Sequence, residues 1–239
     1  MGGLGAEGGH VSRVVRPALV LAAHGTRSAA GEAALEGLAA LVARQRPGCR
    51  VELAYLEISR PRLSDVLAEM AGAAVVVPLL LAGGYHIHQD IPGIVAGTGA
   101  VVARHLGPHP LLTSALVRRL GALRPADSVI LGAAGSSDPG ALAEVRAAAR
   151  MLAVRLARPV TAAFASAGTP TLAEVMERAR SGSASRVVIA SYLLAPGYFH
   201  DRLEAAGADL VSPPLGPDPA LAGLVWHRYD ESLGNRSAA

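Results

Sequence analysis

Apolar residues in this chain come in short unbroken runs separated by longer stretches with helical spacing. Ala18 to Ala23, ALVLAA, is a strand-length apolar run that leads into His24-Gly25-Thr26-Arg27-Ser28. From Ala29 to Arg44, Ala, Leu and Val recur every three or four residues, which predicts an amphipathic helix with Ser28 as its N-cap. Pro47-Gly48 interrupts the chain, Val51 to Leu56 predicts the next strand, ending in Glu57, and Pro61 opens a second helix to about Met70. The most informative stretch is residues 74–92, AVVVPLLLAGGYHIHQDIP. Its β-branched start predicts a buried strand over about 73–81, which breaks at Gly83-Gly84 and presents Tyr85, His86, Ile87, His88, Gln89 and Asp90. A short helix is expected near Pro92, a strand at Ala100 to Ala103 and a helix at Leu111 to Leu123. Strands alternating with helices predict an α/β fold, a doubly wound parallel sheet covered on both faces. Ligands of such sheets bind at the carboxyl ends of the strands, where these histidines lie.

The pattern then repeats. Leu19 to Thr26 lies over Val129 to Ser136 at an offset of 110, and Ala54-Tyr55-Leu56-Glu57 to Pro61 lies over Ala163-Phe164-Ala165-Ser166 to Pro170. Pro78 to His86 lies over Ser191 to Phe199. Matches in order at nearly constant offset predict a duplicated unit. The expected organisation is a disordered glycine-rich tail at 1–15, a first half at 16–124 and a second half at 125–239, joined near Arg124-Pro125-Ala126-Asp127. The repeat fails at three polar positions: His24 faces Ala134, Glu57 faces Ser166, and His86 faces Phe199. Residues needed only for folding should appear in both copies, so these three are the candidates for chemistry, placed in the first half.

Composition narrows the chemistry further. The chain has no lysine, so its basic side chains are all arginine. That removes a P-loop and a Schiff-base enzyme, so neither an ATP-driven motor nor a pyridoxal enzyme is expected. A net charge of +3 without an arginine cluster and with 3% aromatics does not suggest a nucleic-acid partner; arginine suits a small polyanion. No apolar run approaches the roughly 20 residues of a membrane span. The start, MGGLGAEGGHVSR, lacks a signal-peptide core, so a cytoplasmic protein without a membrane partner is expected. Cys49 is the lone cysteine, which excludes internal disulfides and multi-cysteine metal sites.

Two imidazoles and a carboxylate at neighbouring strand ends form a site for Fe²⁺, Co²⁺, Ni²⁺ or Zn²⁺, or alternatively an acid–base pair. Each residue also has a plainer reading. His24 could bond backbone, Glu57 could pair with Arg60, and Asp90 is read as the cap of the helix beginning at Ile91-Pro92. His88 depends on how its loop turns. His10, His105, His109 and His227 are expected at the surface, and His200 could line an opposite wall.

Together, AHGTR (23–27), YLE (55–57) followed by Pro61, and PLLLAGGYHIHQDIP (78–92) resemble the sirohydrochlorin chelatases, the class II chelatases of sirohaem and cobalamin synthesis. The likeness covers nearly the whole chain, with a degenerate second half. It implies a chelatase-like fold of two similar doubly wound halves with the active site in the cleft between them. It implies insertion of Co²⁺ or Fe²⁺ into sirohydrochlorin without ATP, with no cofactor beyond the substrate metal. The family's metal-handling histidines map onto His24 and His86, and its acidic partner onto Glu57. Because sirohydrochlorin is a polycarboxylate, Arg27, Arg60, Arg62 and Arg202, near strand ends, are the candidates for holding it. A duplicated chain builds both walls of its own cleft, so a monomer is expected. The rival class is a non-catalytic two-lobed binding protein or metallochaperone for a metal or tetrapyrrole. A histidine phosphatase fits poorly, since alanine stands where its phosphate-binding arginine would precede His24.

Overall fold

The computed structural model describes residues 16–70, 72–84, 86–182 and 186–237. The expectation for the tail at 1–15 lies outside them, as do Tyr85 and the side chain of His88. The first half contains β1 (Ala18–Ala23), α1 (Ala29–Gln45), β2 (Val51–Tyr55), α2 (Leu63–Ala68), β3 (Ala74–Pro78), α3 (Ile91–Val95), β4 (Val101–Val102) and α4 (Pro110–Leu120). The second contains β5 (Asp127–Ala133), α5 (Pro139–Leu156), β6 (Val160–Phe164), α6 (Leu172–Ser181), β7 (Arg186–Ser191), α7 (Tyr198–Glu204), β8 (Leu210–Val211) and α8 (Pro219–Ser237). Each half is a four-stranded parallel sheet, ordered β2-β1-β3-β4 and β6-β5-β7-β8.

Both faces of each sheet are covered, which is why the central strands are apolar throughout rather than alternating. In β1, Leu19, Leu21 and Ala23 enter a core shared by the two halves, while Val20 and Ala22 enter an outer core with α2 and α3. The shared core is built by α1, α4, α5 and α8. The last helix of each half crosses over: α8 packs on α1 and β3, and α4 packs on α5 and β7. Trp226 of α8 is buried there and donates its indole N–H to the Val42 carbonyl at 3.1 Å. Truncating such a ring costs about 3–5 kcal/mol, so the halves support each other. No helix among the described residues is long and apolar enough to cross a membrane.

The expected strand over 73–81 is shorter, ending at Pro78. Its neighbour β1 ends at Ala23, and β4 supplies only two residues, so the ladder does not continue beyond Pro78. The Leu79 N–H still reaches the Ala22 carbonyl at 2.8 Å, and residues 79–82 then leave the sheet to become a wall of the cleft. Strand order reverses between β1 and β3, and again between β5 and β7. In doubly wound sheets those switch points open crevices at the strand carboxyl ends.

Candidate active site

The two crevices merge into one cleft of about 750 Å³. The segments after β1 and β3 (24–28, 79–84 and 86–87) form one wall, and those after β5 and β7 (134–137 and 193–200) form the other.

His24 and Glu57 are brought together by backbone. The Glu57 N–H donates to the His24 carbonyl at 3.0 Å, the Thr26 N–H to Ser59 Oγ at 3.1 Å, and Ser59 Oγ to the Thr26 carbonyl at 3.0 Å. Gly25 lies at the crossing with φ +102°, and a Cβ there would stand 2.1 Å from the Glu57 carbonyl oxygen. Only glycine permits this approach. Ile58 follows at φ +58°, a left-handed conformation that costs a β-branched residue on the order of 1–2 kcal/mol.

His86 opens a wide π-helical turn, His86–Asp90, that runs directly into α3. Asp90 therefore has helical backbone (φ −67°, ψ −54°) and makes no side-chain cap, which corrects its reading as an N-cap. Its carboxylate lies instead 2.5 Å from His86 Nδ1. The i,i+4 spacing was the available signal, because it places both side chains on one helical face. An ionised carboxylate only accepts, so Nδ1 donates to Asp90 and any ligand or proton chemistry of the ring falls to Nε2. The His24 and His86 rings meet edge to face, with centroids 4.5 Å apart and planes at 87°. Glu57, His86 and Asp90 bring ligand atoms within 4.8 Å of one another, a group suited to a borderline divalent cation. Second-sphere carboxylates on a ligating imidazole typically control 10–100-fold in metal affinity or activity. Asp90→Ala is accordingly expected to lower turnover or Co²⁺ affinity by about that factor. Thermal unfolding should change little, and steady-state rates with isothermal titration check both.

The second half holds the His86 loop in place. Glu144 of α5 accepts the Gly83 N–H at 2.6 Å and lies 3.4 Å from His105 Nε2. The buried Tyr192 hydroxyl donates to the Leu81 carbonyl at 3.1 Å, and burial pushes its pKa up. The Gly83–Glu144 and Leu81–Tyr192 contacts join residues more than sixty positions apart, and nothing in the sequence signals them.

The arginines divide. Arg27 is exposed and lines the cleft. Arg60 pairs with Asp65 at 3.3 Å rather than with Glu57, and Arg62 donates to the Leu56 carbonyl at 2.8 Å, bracing the end of β2. Arg202 lies on α7 and donates to the Tyr198 hydroxyl at 3.0 Å. His200 lines the opposite wall but is buried, with Nδ1 3.2 Å from Ser191 Oγ and Nε2 3.4 Å from Glu204. His105 is also largely enclosed, beside Glu144, rather than at the surface.

The chain is 32% identical over 77 residues to the sirohydrochlorin cobaltochelatase of Methanosarcina acetivorans, an alignment covering 30% of this chain and 59% of that protein. It is 42% identical over 53 residues to the enzyme of the same name from Saccharolobus islandicus, covering 20% and 41%. The chain thus spans about three-fifths or less of the length of these curated relatives. Its fold matches SirB from Bacillus subtilis with Fe³⁺ at a TM-score of 0.78 and 22% identity, over 93% of this chain and 98% of that one. The CbiX family model matches twice, at residues 18–123 and again at 128–232. Covering both sheets and both walls of the cleft, these two matches place the chain in the CbiX family.

Proposed function

We propose that the chain is a sirohydrochlorin chelatase, a lyase that inserts a divalent metal, Co²⁺ or Fe²⁺, into sirohydrochlorin without ATP, in cobalamin or sirohaem synthesis. The observation that carries this reading is the edge-to-face His24–His86 pair, with Glu57 and Asp90 beside it, on one wall of a cleft sized for a small ligand. The names of the curated relatives and the shared fold support it.

The chemistry asks three things of these residues. A hydrated cation must exchange water for ligands that will release it again, and two imidazoles with few carboxylates suit a transient hold. The macrocycle gives up two pyrrolic protons as the metal enters, and His86 Nε2, on a ring oriented by Asp90 through Nδ1, is suited to receive one. Glu57, at the exposed edge of the group, is placed to receive the other or to guide the incoming cation. Holding metal and macrocycle in one cleft replaces a slow bimolecular encounter with an oriented one. Arg27 at the cleft lining is positioned for a peripheral carboxylate of the substrate. Both walls come from one chain, so the unit of activity is the monomer; a dimeric mass in light scattering would count against that.

The test is anaerobic and ATP-free. Sirohydrochlorin is mixed with Co²⁺ or Fe²⁺ and catalytic amounts of protein, and its absorption spectrum is followed. The expected result is conversion over many equivalents of protein, with the ratio of the two rates identifying the preferred metal. A spectral change that stops at one equivalent would instead mark a binding protein.

A further inference from the structure

The second half lost the residues of the metal group, yet its wall carries an unusual surface of its own. The chain has one Trp, five Tyr and two Phe. Two of these few aromatics, Tyr198 and Phe199, stand exposed side by side at 66% and 37%, and both line the cleft. Their rings meet at 5.2 Å between centroids and 69° between planes. Arg202 lies 5.7 Å from the Tyr198 ring centroid while bonding its hydroxyl, which fixes that ring. Across the cleft stands Ile58, 45% exposed and in a backbone conformation that disfavours it. Folding does not explain an exposed β-branched side chain in a left-handed turn, since Gly or Asn would sit there at lower cost. Among the described residues just one other large apolar side chain is comparably exposed, Val154, and it lies outside the cleft. The exposed apolar surface is thus gathered on the cleft lining, which marks a ligand contact rather than chance.

The duplication gives this surface its meaning. By the repeat, Phe199 stands where His86 stands in the first half, and α7 occupies the place of the His86–Asp90 turn. Resting on the reading proposed above, we infer that Tyr198 and Phe199 form a stacking platform for one face of the macrocycle, so that its opposite face is presented to His24 and His86. Ile58 closes the rim of the bound ring, and Arg202, which lies outside the cleft lining, serves to hold the Tyr198 ring. Aromatic rings prefer to meet a flat conjugated ring offset or edge-on, and both geometries are open to an exposed pair of this kind. The second half has therefore exchanged a metal-handling position for a ring-binding one.

Two probes separate this inference from the reading on which it rests. Metal-free sirohydrochlorin and copper uroporphyrin, a flat polycarboxylate already filled with metal, are each titrated by absorbance and fluorescence. The proteins are wild type, Tyr198→Ala/Phe199→Ala, Tyr198→Leu/Phe199→Leu and the control Val154→Ser. The double alanine variant is expected to bind both macrocycles at least about tenfold more weakly. It should keep the wild-type unfolding temperature and show a raised KM for the macrocycle, with kcat/KM for metal insertion falling at least as far as the affinity. The leucine pair should recover part of the affinity without the spectral shift of a stacked ring, and Val154→Ser should match wild type. Equal binding by wild type and the double alanine variant would overturn the platform. Platform-dependent binding of copper uroporphyrin, without any binding of sirohydrochlorin, would keep the platform and overturn the sirohydrochlorin reading. Failure of the wild type to bind either macrocycle would overturn both.

Discussion

His86→Ala and His24→Ala are each expected to lower metal insertion by at least about 100-fold while the protein unfolds at close to the wild-type temperature. Activity falls because each ring supplies a nitrogen no neighbour replaces. Without His86, Asp90 and Glu57 are two carboxylates lacking the imidazole nitrogen that completes the group. Stability is retained because the protein's own second copy folds without these rings. The Ser166 N–H donates to the Ala134 carbonyl at 2.9 Å, matching the 3.0 Å bond from Glu57 to His24, so the same strand end forms with alanine in place of the imidazole. The His86–Asp90 contact is about one-quarter exposed on each side, and losing a pair of that kind costs at most about 1 kcal/mol. Parallel melting curves and turnover assays read both quantities. Unfolding of either variant would make the histidines structural and remove the reason for assigning them chemistry.

Gly25→Ala and Gly135→Ala should be destabilised alike, but only the first should lose activity out of proportion to its folded fraction. The two glycines are equivalent. Their φ angles are +102° and +101°, and an added Cβ would stand 2.1 Å from the Glu57 carbonyl oxygen in one half and 2.2 Å from the Ala167 carbonyl oxygen in the other. Each substitution combines a left-handed alanine with a backbone collision, on the order of 3 kcal/mol in total. The structure can relieve the first collision only by parting the loops that hold His24 and Glu57 together. Relief of the second moves a wall without those residues. Metal insertion per folded molecule is expected to fall by more than about tenfold in Gly25→Ala and by much less in Gly135→Ala, since misplacement near 1 Å at a reacting centre has costs of that size. Urea melts normalise the folded fraction, and equal losses of specific activity would contradict the placement of the site in the first half.

The contrast between the halves was legible in the sequence because duplication turns one chain into its own control. Glu57 and Ser166 do occupy the same place, each donating its N–H to the residue after the central strand. Hydrophobic runs gave the strands and their approximate ends, since a strand covered on both faces must be apolar throughout. The end of β3 was misjudged because Leu79 to Ala82 stay apolar beyond the ladder, packing against the cores on both sides while lining the cleft. Asp90 was misread because an acidic residue before Ile91-Pro92 looks like a cap. The helical path actually begins earlier, at His86, through a π turn that local propensity does not signal. Arg60 and Arg62 were ambiguous because sequence gives their charge but not their partners, which are Asp65 and the Leu56 carbonyl. Glu144 and Tyr192 were invisible because their role exists only once the second half meets the first.

The central claim is that a divalent metal substrate is handled by the first half's histidines. The most direct test is to soak crystals of the protein with Co²⁺ under anaerobic conditions and locate the ion by its anomalous scattering. The account predicts one principal peak within bonding distance of His86 and beside His24, with Glu57 or Asp90 in its shell, and its loss in His86→Ala. A principal peak at His200 and Glu204 on the opposite wall, or a first-half peak that persists in His86→Ala, would contradict it.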